Sequence, residues 1–247
     1  MDVPIVVVCY NNYRYVENTL KQIGELNENY YKNIIIMDNC SNDEKTIEYL
    51  NSVNVKVIRN STNVGPWIRP ETNADVYHSL PDRYILTDPD LEMNTSLPQN
   101  FIDVLVELSD KYQCGKIGVA LDISDYDKMY QFTYFHGVTI YEWEKQFWTN
   151  RINDDKYELY WAPIDTTFCL VNKNYGGSDI RVAGDFTAKH LPWYINNKLL
   201  SLTEVYDVLS KTTPLSTMSR VLMPYIESNY SKIEKDGEIQ LLPKDGV

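Results

Sequence analysis

What is scarce in this chain narrows its chemistry first. It has three histidines and four cysteines (Cys9, Cys40, Cys114, Cys169), and no two cysteines form a C-x-x-C pair. That spread excludes the usual zinc ligand spacings. With Cys9 and Cys169 inside apolar runs, it fits buried thiols in a reducing compartment. Positive charge is short as well: 23 Lys and Arg stand against 35 Asp and Glu, a net charge of -12 with no basic run. Nucleic acid is therefore excluded as a partner, because a phosphate backbone needs clustered cations. An anionic small molecule stays open if a cation bridges it to carboxylates. Long apolar runs are missing, so no transmembrane segment is expected. The N-terminal MDVPIVVVCYNN lacks a positively charged region and turns polar at once, so no signal peptide is expected and a cytoplasmic location is.

What is present is enough for a packed core. The chain of 247 residues is 43% hydrophobic and suits one domain, or one with a small addition. Its 20 tyrosines and 5 tryptophans offer flat faces with a polar edge, suited to sugar or base stacking as well as to packing. Continuous β-branched runs at 4–10, 33–38 and 55–58, with apolar runs at 83–87 and 116–121, read as strands covered on both faces. Between them lie helical periods. Val16, Leu20, Ile23 and Leu26 form one stripe after an N-cap at Asn12; Ser41 and Glu44 have capping-box spacing; Phe101, Val104, Leu105 and Leu108 form a second stripe, with Pro98 in its first turn. Alternating strand and helix predicts an α/β sheet with right-handed crossovers, whose ligand crevice lies at the carboxyl ends of the strands. Beyond residue 122 the pattern changes. The aromatic stretch 129–148 reads as antiparallel strands or a flap, 165–173 as a buried strand, and 202–235 as mostly helical with a break at Pro224.

The chemistry concentrates after the fourth strand. Asp88 and Asp90 flank Pro89, and in an extended segment such residues point the same way. Two bare carboxylates that close repel, and one pKa rises. A divalent cation removes the conflict, and hard oxygen ligands suit Mn²⁺ or Mg²⁺.

The segments VVVCYNN, IIIMDNCSND, NSTNVGPW and YILTDPDLEMN, in that order over residues 4–94, resemble the GT-A glycosyltransferases, close to the family 2 group of inverting enzymes. The resemblance implies a mixed central sheet flanked by helices, and a nucleotide-sugar donor, most often UDP-linked, whose diphosphate is gripped by metal at Asp88 and Asp90. It implies a glycan or other hydroxyl acceptor. Carried over by position, Tyr10 stacks near the base with Asn12 beside it, Asp38 or Asn39 reads the edge of the base, Asn63 and Gly65 form a turn near the phosphates, and Arg69 faces the diphosphate. A histidine late in such chains completes the metal shell, which points to His190. WAPIDTTFCLV and RVAGDFTAKHLPWY resemble segments of bacterial members. Inverting transfer needs a general base for the acceptor hydroxyl. Asp165, just before an apolar strand, is the candidate, with Asp185 and Asp122 as alternatives. Trp193, Trp143, Phe147 and Trp148 form a candidate acceptor platform. The expected organisation is one domain over 1–247, with a nucleotide-binding half (1–95), an acceptor and catalytic half (96–200) and a C-terminal helical extension (201–247). Two rivals remain: a sugar-phosphate nucleotidyltransferase, which would want a Gly- and Arg-rich loop after the first strand, and a non-catalytic carbohydrate-binding module.

Overall fold

The computed structural model describes residues 3–195, 197–213, 216–235 and 238–244. By internal contacts the chain divides into two units, one of residues 1–123 and 144–190, the other of 124–143 and 191–247.

The first unit is built on a mixed sheet. Strands β1 (Ile5–Cys9), β2 (Ile34–Asp38), β3 (Lys56–Arg59) and β4 (Arg83–Thr87) alternate with helices α1 (Tyr13–Leu26), α2 (Glu28–Tyr31), α3 (Glu44–Ser52) and α4 (Ala74–Ser79). Then follow β5 (Leu91–Met93), α5 (Phe101–Tyr112), β6 (Lys116–Leu121), β7 (Arg151–Ile152), β8 (Leu159–Trp161), β9 (Cys169–Asn172) and β10 (Ile180–His190). The order across the sheet is β3-β2-β1-β4-β9-β6-β10-β8-β7, with β5 paired to β10. Every residue of β1 is buried, which explains its unbroken β-branched run, while β3 at the edge exposes Lys56 and Arg59. Both predicted helical stripes face inward: Val16, Leu20 and Ile23 on α1, and Phe101, Val104, Leu105 and Leu108 on α5, are buried.

One glycine is set by a close approach. A Cβ on Gly118 of β6 would stand 2.6 Å from Cβ of Cys169 and 2.7 Å from its Cα, so only glycine lets β6 meet β9 in this register.

Several boundaries differ from the sequence expectations, each for a local reason. Helix α3 is capped by Asp43, whose Oδ2 accepts from the Thr46 amide at 2.9 Å, because Ser41 is engaged with Asp38. Pro98 lies ahead of α5, its carbonyl accepting from the Phe101 amide. The strand expected over 165–173 shortens to β9, since 165–168 form a loop bonded to the Asp88 segment. Among the described residues the stretch 129–148 forms no strand, Met129 making an isolated antiparallel bridge to Tyr194. Thr139 and Glu142 make a reciprocal capping box that starts α6 (Ile140–Lys145), and short 3₁₀ turns flank it.

In the second unit, α7 (Leu202–Lys211) starts from a capping box between Ser201 and Glu204. Helix α8 (Thr217–Asn229) runs through Pro224 without ending there. The helix expected to reach residue 235 stops at Asn229, whose amide side chain bonds the Tyr225 carbonyl at 2.7 Å. The chain then forms a hairpin of β11 (Tyr230–Lys235) and β12 (Glu238–Pro243). Tyr130, Phe132 and Tyr225 pack in mutual ring contact in this unit. No described helix is long and apolar enough to cross a membrane.

Candidate active site

Strand direction brings residues far apart in sequence to one edge. Strands β1 to β4 run parallel, β9 runs against β4 and β6, and β10 runs with β6. The carboxyl ends of β1, β2, β4 and β10 and the amino end of β9 therefore share an edge. Asn12, Asp38, Asp88 and His190 each follow or end one of these strands, and Asp165 lies in the loop that leads into β9.

The loop after β4 is held from three sides. The Asp88 amide donates to the Thr166 carbonyl at 2.8 Å, and the Thr166 hydroxyl donates to Asp88 Oδ2. The Pro89 carbonyl accepts from the buried Thr19 hydroxyl of α1 at 2.5 Å. Gln22 of α1 donates to the Leu91 carbonyl at 2.9 Å and accepts from the Met93 amide at 2.8 Å. Register places the imidazole, because His190 lies opposite Leu91 in the β5–β10 pair, one residue from Asp90. His190 Nε2 is 3.3 Å from Asp90 Oδ2. Asp90 Oδ1 is buried with no hydrogen-bond partner among the described residues.

The electrostatics follow from this crowding. Burial, with the Asp90 charge second, pushes the Asp88 carboxyl up to about 8; Asp165 adds to the rise, while the Thr166 hydroxyl and His190 oppose it. Burial pulls His190 down, but Asp90, Asp88 and Glu144 outweigh it and its pKa is raised. Two carboxylates and an imidazole thus crowd one place, with one orphaned carboxylate oxygen among them. That donor set suits a hard divalent cation such as Mn²⁺ or Mg²⁺. As the side chains stand, the described residues contain no ready-made cluster of three or more metal-ligating groups, Asp90 being engaged with His190.

Asp165 is exposed at the mouth of this edge. The backbone around it is pinned: Arg181 Nε donates to the Pro163 carbonyl at 2.9 Å, Asp179 Oδ2 accepts from the Ile164 amide at 2.8 Å, and Lys116 Nζ donates to the carbonyls of Ile164 and Asp165. Its Oδ1 accepts from Trp67 Nε1 at 2.5 Å. Arg181 is itself buried and ion-paired with buried Glu144, over the ring of Phe147. Asp122 bonds through its amide to Ala188 at the end of β6, and Asp185 is exposed in the bulge of β10.

The loops after β1 and β2 interlock. Asn11, buried and in the left-handed region at φ 54°, accepts from the Asn42 and Asp43 amides at 2.8 and 2.9 Å and donates to the Asn42 side chain. The Asn12 side chain sits at the N-cap of α1 without capping it, and accepts from the Tyr10 amide at 3.1 Å. Tyr10 is half-buried. Asp38 Oδ1 accepts from the Ser41 amide at 3.0 Å and its hydroxyl at 2.6 Å. Asn39 donates to the Gly65 carbonyl at 2.8 Å and accepts from Asn60 at 2.9 Å, so its amide is already engaged. Asn63 Oδ1 accepts from the Gly65 amide at 3.0 Å, the N-x-G turn expected from sequence, with Gly65 at φ 82°. Arg69 is exposed and lies 5.6 Å from the Trp67 ring.

Sequence reasoning missed Thr19, Gln22, Thr166, Trp67, Lys116 and Asn11. Asn11, Trp67 and Thr166 lie within the motif segments VVVCYNN, NSTNVGPW and WAPIDTTFCLV, while Thr19, Gln22 and Lys116 carried no local signal. Of the four aromatics named above, Trp193 is a core side chain and Trp143 stacks on His136 in the second unit, while in the first Phe147 lies under Arg181 and Trp148 packs against Tyr160. A cavity of about 430 Å³, lined by Gln113, Asn150 and Trp161 among others, opens at the opposite edge of the sheet, away from the carboxylates.

Comparison with known proteins supplies the remaining constraint. The family model described as glycosyl transferase family 2 matches residues 5–168. No curated protein matches the chain. Solved structures overlap it in part. A mannosyltransferase from Pyrobaculum calidifontis, in complex with GDP-Man and Mn²⁺, is 16% identical with a TM-score of 0.39 over 55% of this chain and 42% of that one. TarS 1–349 of S. aureus in complex with UDP is 19% identical with a TM-score of 0.35 over 49% and 36%. A cytidylyltransferase from Leptospira borgpetersenii is 15% identical with a TM-score of 0.35 over 60% and 63%. The matched region thus covers less than half the length of the first two chains, and at these scores the overlaps assign neither donor nor metal.

Proposed function

The chain belongs to glycosyl transferase family 2, and on that footing we propose that it moves a sugar from a UDP-linked donor to a hydroxyl acceptor, with inversion and with a divalent cation at Asp88 and Asp90. The observation that carries the reading is the convergence of Asp88, Asp90, His190 and Asp165 at the carboxyl edge of the sheet, beside the loops of Tyr10, Asn12, Asp38, Asn39 and Asn63–Arg69.

Each group has a task fitted to its place. Tyr10 offers a ring to the nucleobase and Asp38 a carboxylate oxygen to its edge. Asn39 contributes by fixing the Gly65 turn. Backbone groups of the Asn63–Gly65 turn and the Arg69 guanidinium flank the diphosphate. Asp88, Asp90 and His190 would hold Mn²⁺ or Mg²⁺, which when bound neutralises charge on the diphosphate leaving group. Asp165 takes the proton of the acceptor hydroxyl as that oxygen bonds to the anomeric carbon. The bond from that carbon to the phosphate oxygen breaks, and its electron pair leaves with the nucleoside diphosphate. Attack opposite the leaving group inverts the centre, which passes through oxocarbenium character.

The test is nucleotide binding. Melting temperatures with UDP, GDP and dTDP, each with and without Mn²⁺, should rise for UDP only when Mn²⁺ is present; ligand at 100 times its dissociation constant adds about 2.7 kcal/mol of stability. No shift with any nucleotide in the presence of Mn²⁺ removes the donor site. Asp165→Asn should bind UDP as before and lose transfer by about 10²–10⁴-fold, and full activity in that variant removes its role as base.

A further inference from the structure

Four consecutive residues, 163–166, have their backbone tied down by Arg181, Asp179, Lys116 and Asp88. What those bonds leave open is the rotation of the Asp165 side chain. Trp67 closes it: the indole N–H reaches Oδ1 at 2.5 Å across 98 residues of sequence. The indole in turn is set by its own loop. The Thr72 hydroxyl donates to the Trp67 carbonyl at 3.2 Å, Asn39 and Asn63 fix Gly65 just before it, and Arg69 lies against its ring. A chain of direct contacts therefore runs from Asn39, beside the nucleobase position, through the Gly65 turn to Asp165.

We propose that Trp67 is a positioning residue for the acceptor base. Its Nε1–H holds Asp165 Oδ1, leaves Oδ2 as the oxygen that receives the acceptor proton, and ties that orientation to the loop flanking the donor diphosphate. The proposal rests on the reading of Asp165 as base. A purely structural role fits the observations poorly. Trp67 is 37% exposed, and an exposed bond of an N–H to a carboxylate competes with water and adds little to stability. The loop it touches is already anchored by four other residues. The contact is instead placed where a small error in geometry costs rate.

The experiment uses the whole chain and two readouts. In protein labelled with ¹⁵N-tryptophan, the Trp67 indole N–H signal, identified by its loss in Trp67→Phe, should move in Asp165→Asn and should also move when UDP and Mn²⁺ are added. A signal indifferent to Asp165→Asn overturns the proposal. In turnover of whichever UDP-sugar the protein hydrolyses, Trp67→Phe should lower kcat about tenfold with donor KM within about twofold of the wild type, and Trp67→His, which keeps a ring N–H, should recover part of the loss. An unchanged kcat, or a loss that appears as weaker UDP–Mn²⁺ binding, also overturns it. Full activity in Asp165→Asn would instead remove the base assignment itself, so the two failures are distinguishable.

Discussion

At the scale of single residues, the account turns on charge held in confined places. Asp90 has one oxygen on His190 and the other buried without a donor. Asp90→Ala removes both the repulsion on Asp88 and the pairing with His190, so the unliganded protein should stay folded, while the Mn²⁺-dependent rise with UDP is abolished. Differential scanning fluorimetry reads both. The buried pair of Glu144 and Arg181 makes the opposite case. Breaking a buried ion pair from one side strands a charge, so Arg181→Met should cost about 3–5 kcal/mol in urea denaturation. Burial pushes the Glu144 carboxyl from 4.5 up to about 7, against the pull of Arg181. The folded chain then holds this proton more tightly than the unfolded one. Stability from this group is complete below pH 4.5 and is lost as pH rises toward 7. Unfolding free energies across that range should fall with pH in the wild type and fall less steeply in Glu144→Gln, where the raised Asp88 carboxyl still contributes.

At the scale of elements, loops carry the site and strands place it. Asn11 joins the loops after β1 and β2 from a left-handed backbone position. Asn11→Ala and Asn11→Gly both lose its side-chain bonds, but alanine adds left-handed strain of about 1–2 kcal/mol. Asn11→Gly should thus be the more stable in denaturant titration, with UDP binding weakened in both. Strand placement depends on Gly118, where an added methyl meets Cys169 at 2.6 Å. Gly118→Ala should cost about 1–3 kcal/mol through overpacking and displace the segment leading into β9, which carries Asp165. The elements best read from sequence were those whose own residues decide them: β4 as an apolar run with four of its five residues buried, and α1 and α5 by their stripes. Those misread depended on partners. Ser41 has capping-box spacing yet spends its hydroxyl on Asp38, and α8 continues through Pro224 where a local rule ends it. The Thr139–Glu142 box was legible but was obscured by the aromatic alternation around it.

At the scale of the whole molecule, a net charge of -12 makes an anionic donor an improbable guest unless a cation mediates. The acid pair was visible in sequence because two carboxylates flank one proline. The groups that aim them were not, because Thr19, Gln22 and Thr166 meet the site only through the sheet order. The most direct measurement is calorimetric titration of UDP into the wild type and Asp90→Ala, with Mn²⁺ and with EDTA. Binding by the wild type that needs Mn²⁺ and is lost in the variant is the expected result. Equal affinity in EDTA, or undiminished affinity in Asp90→Ala, would contradict a cation bridging this acidic loop and the diphosphate.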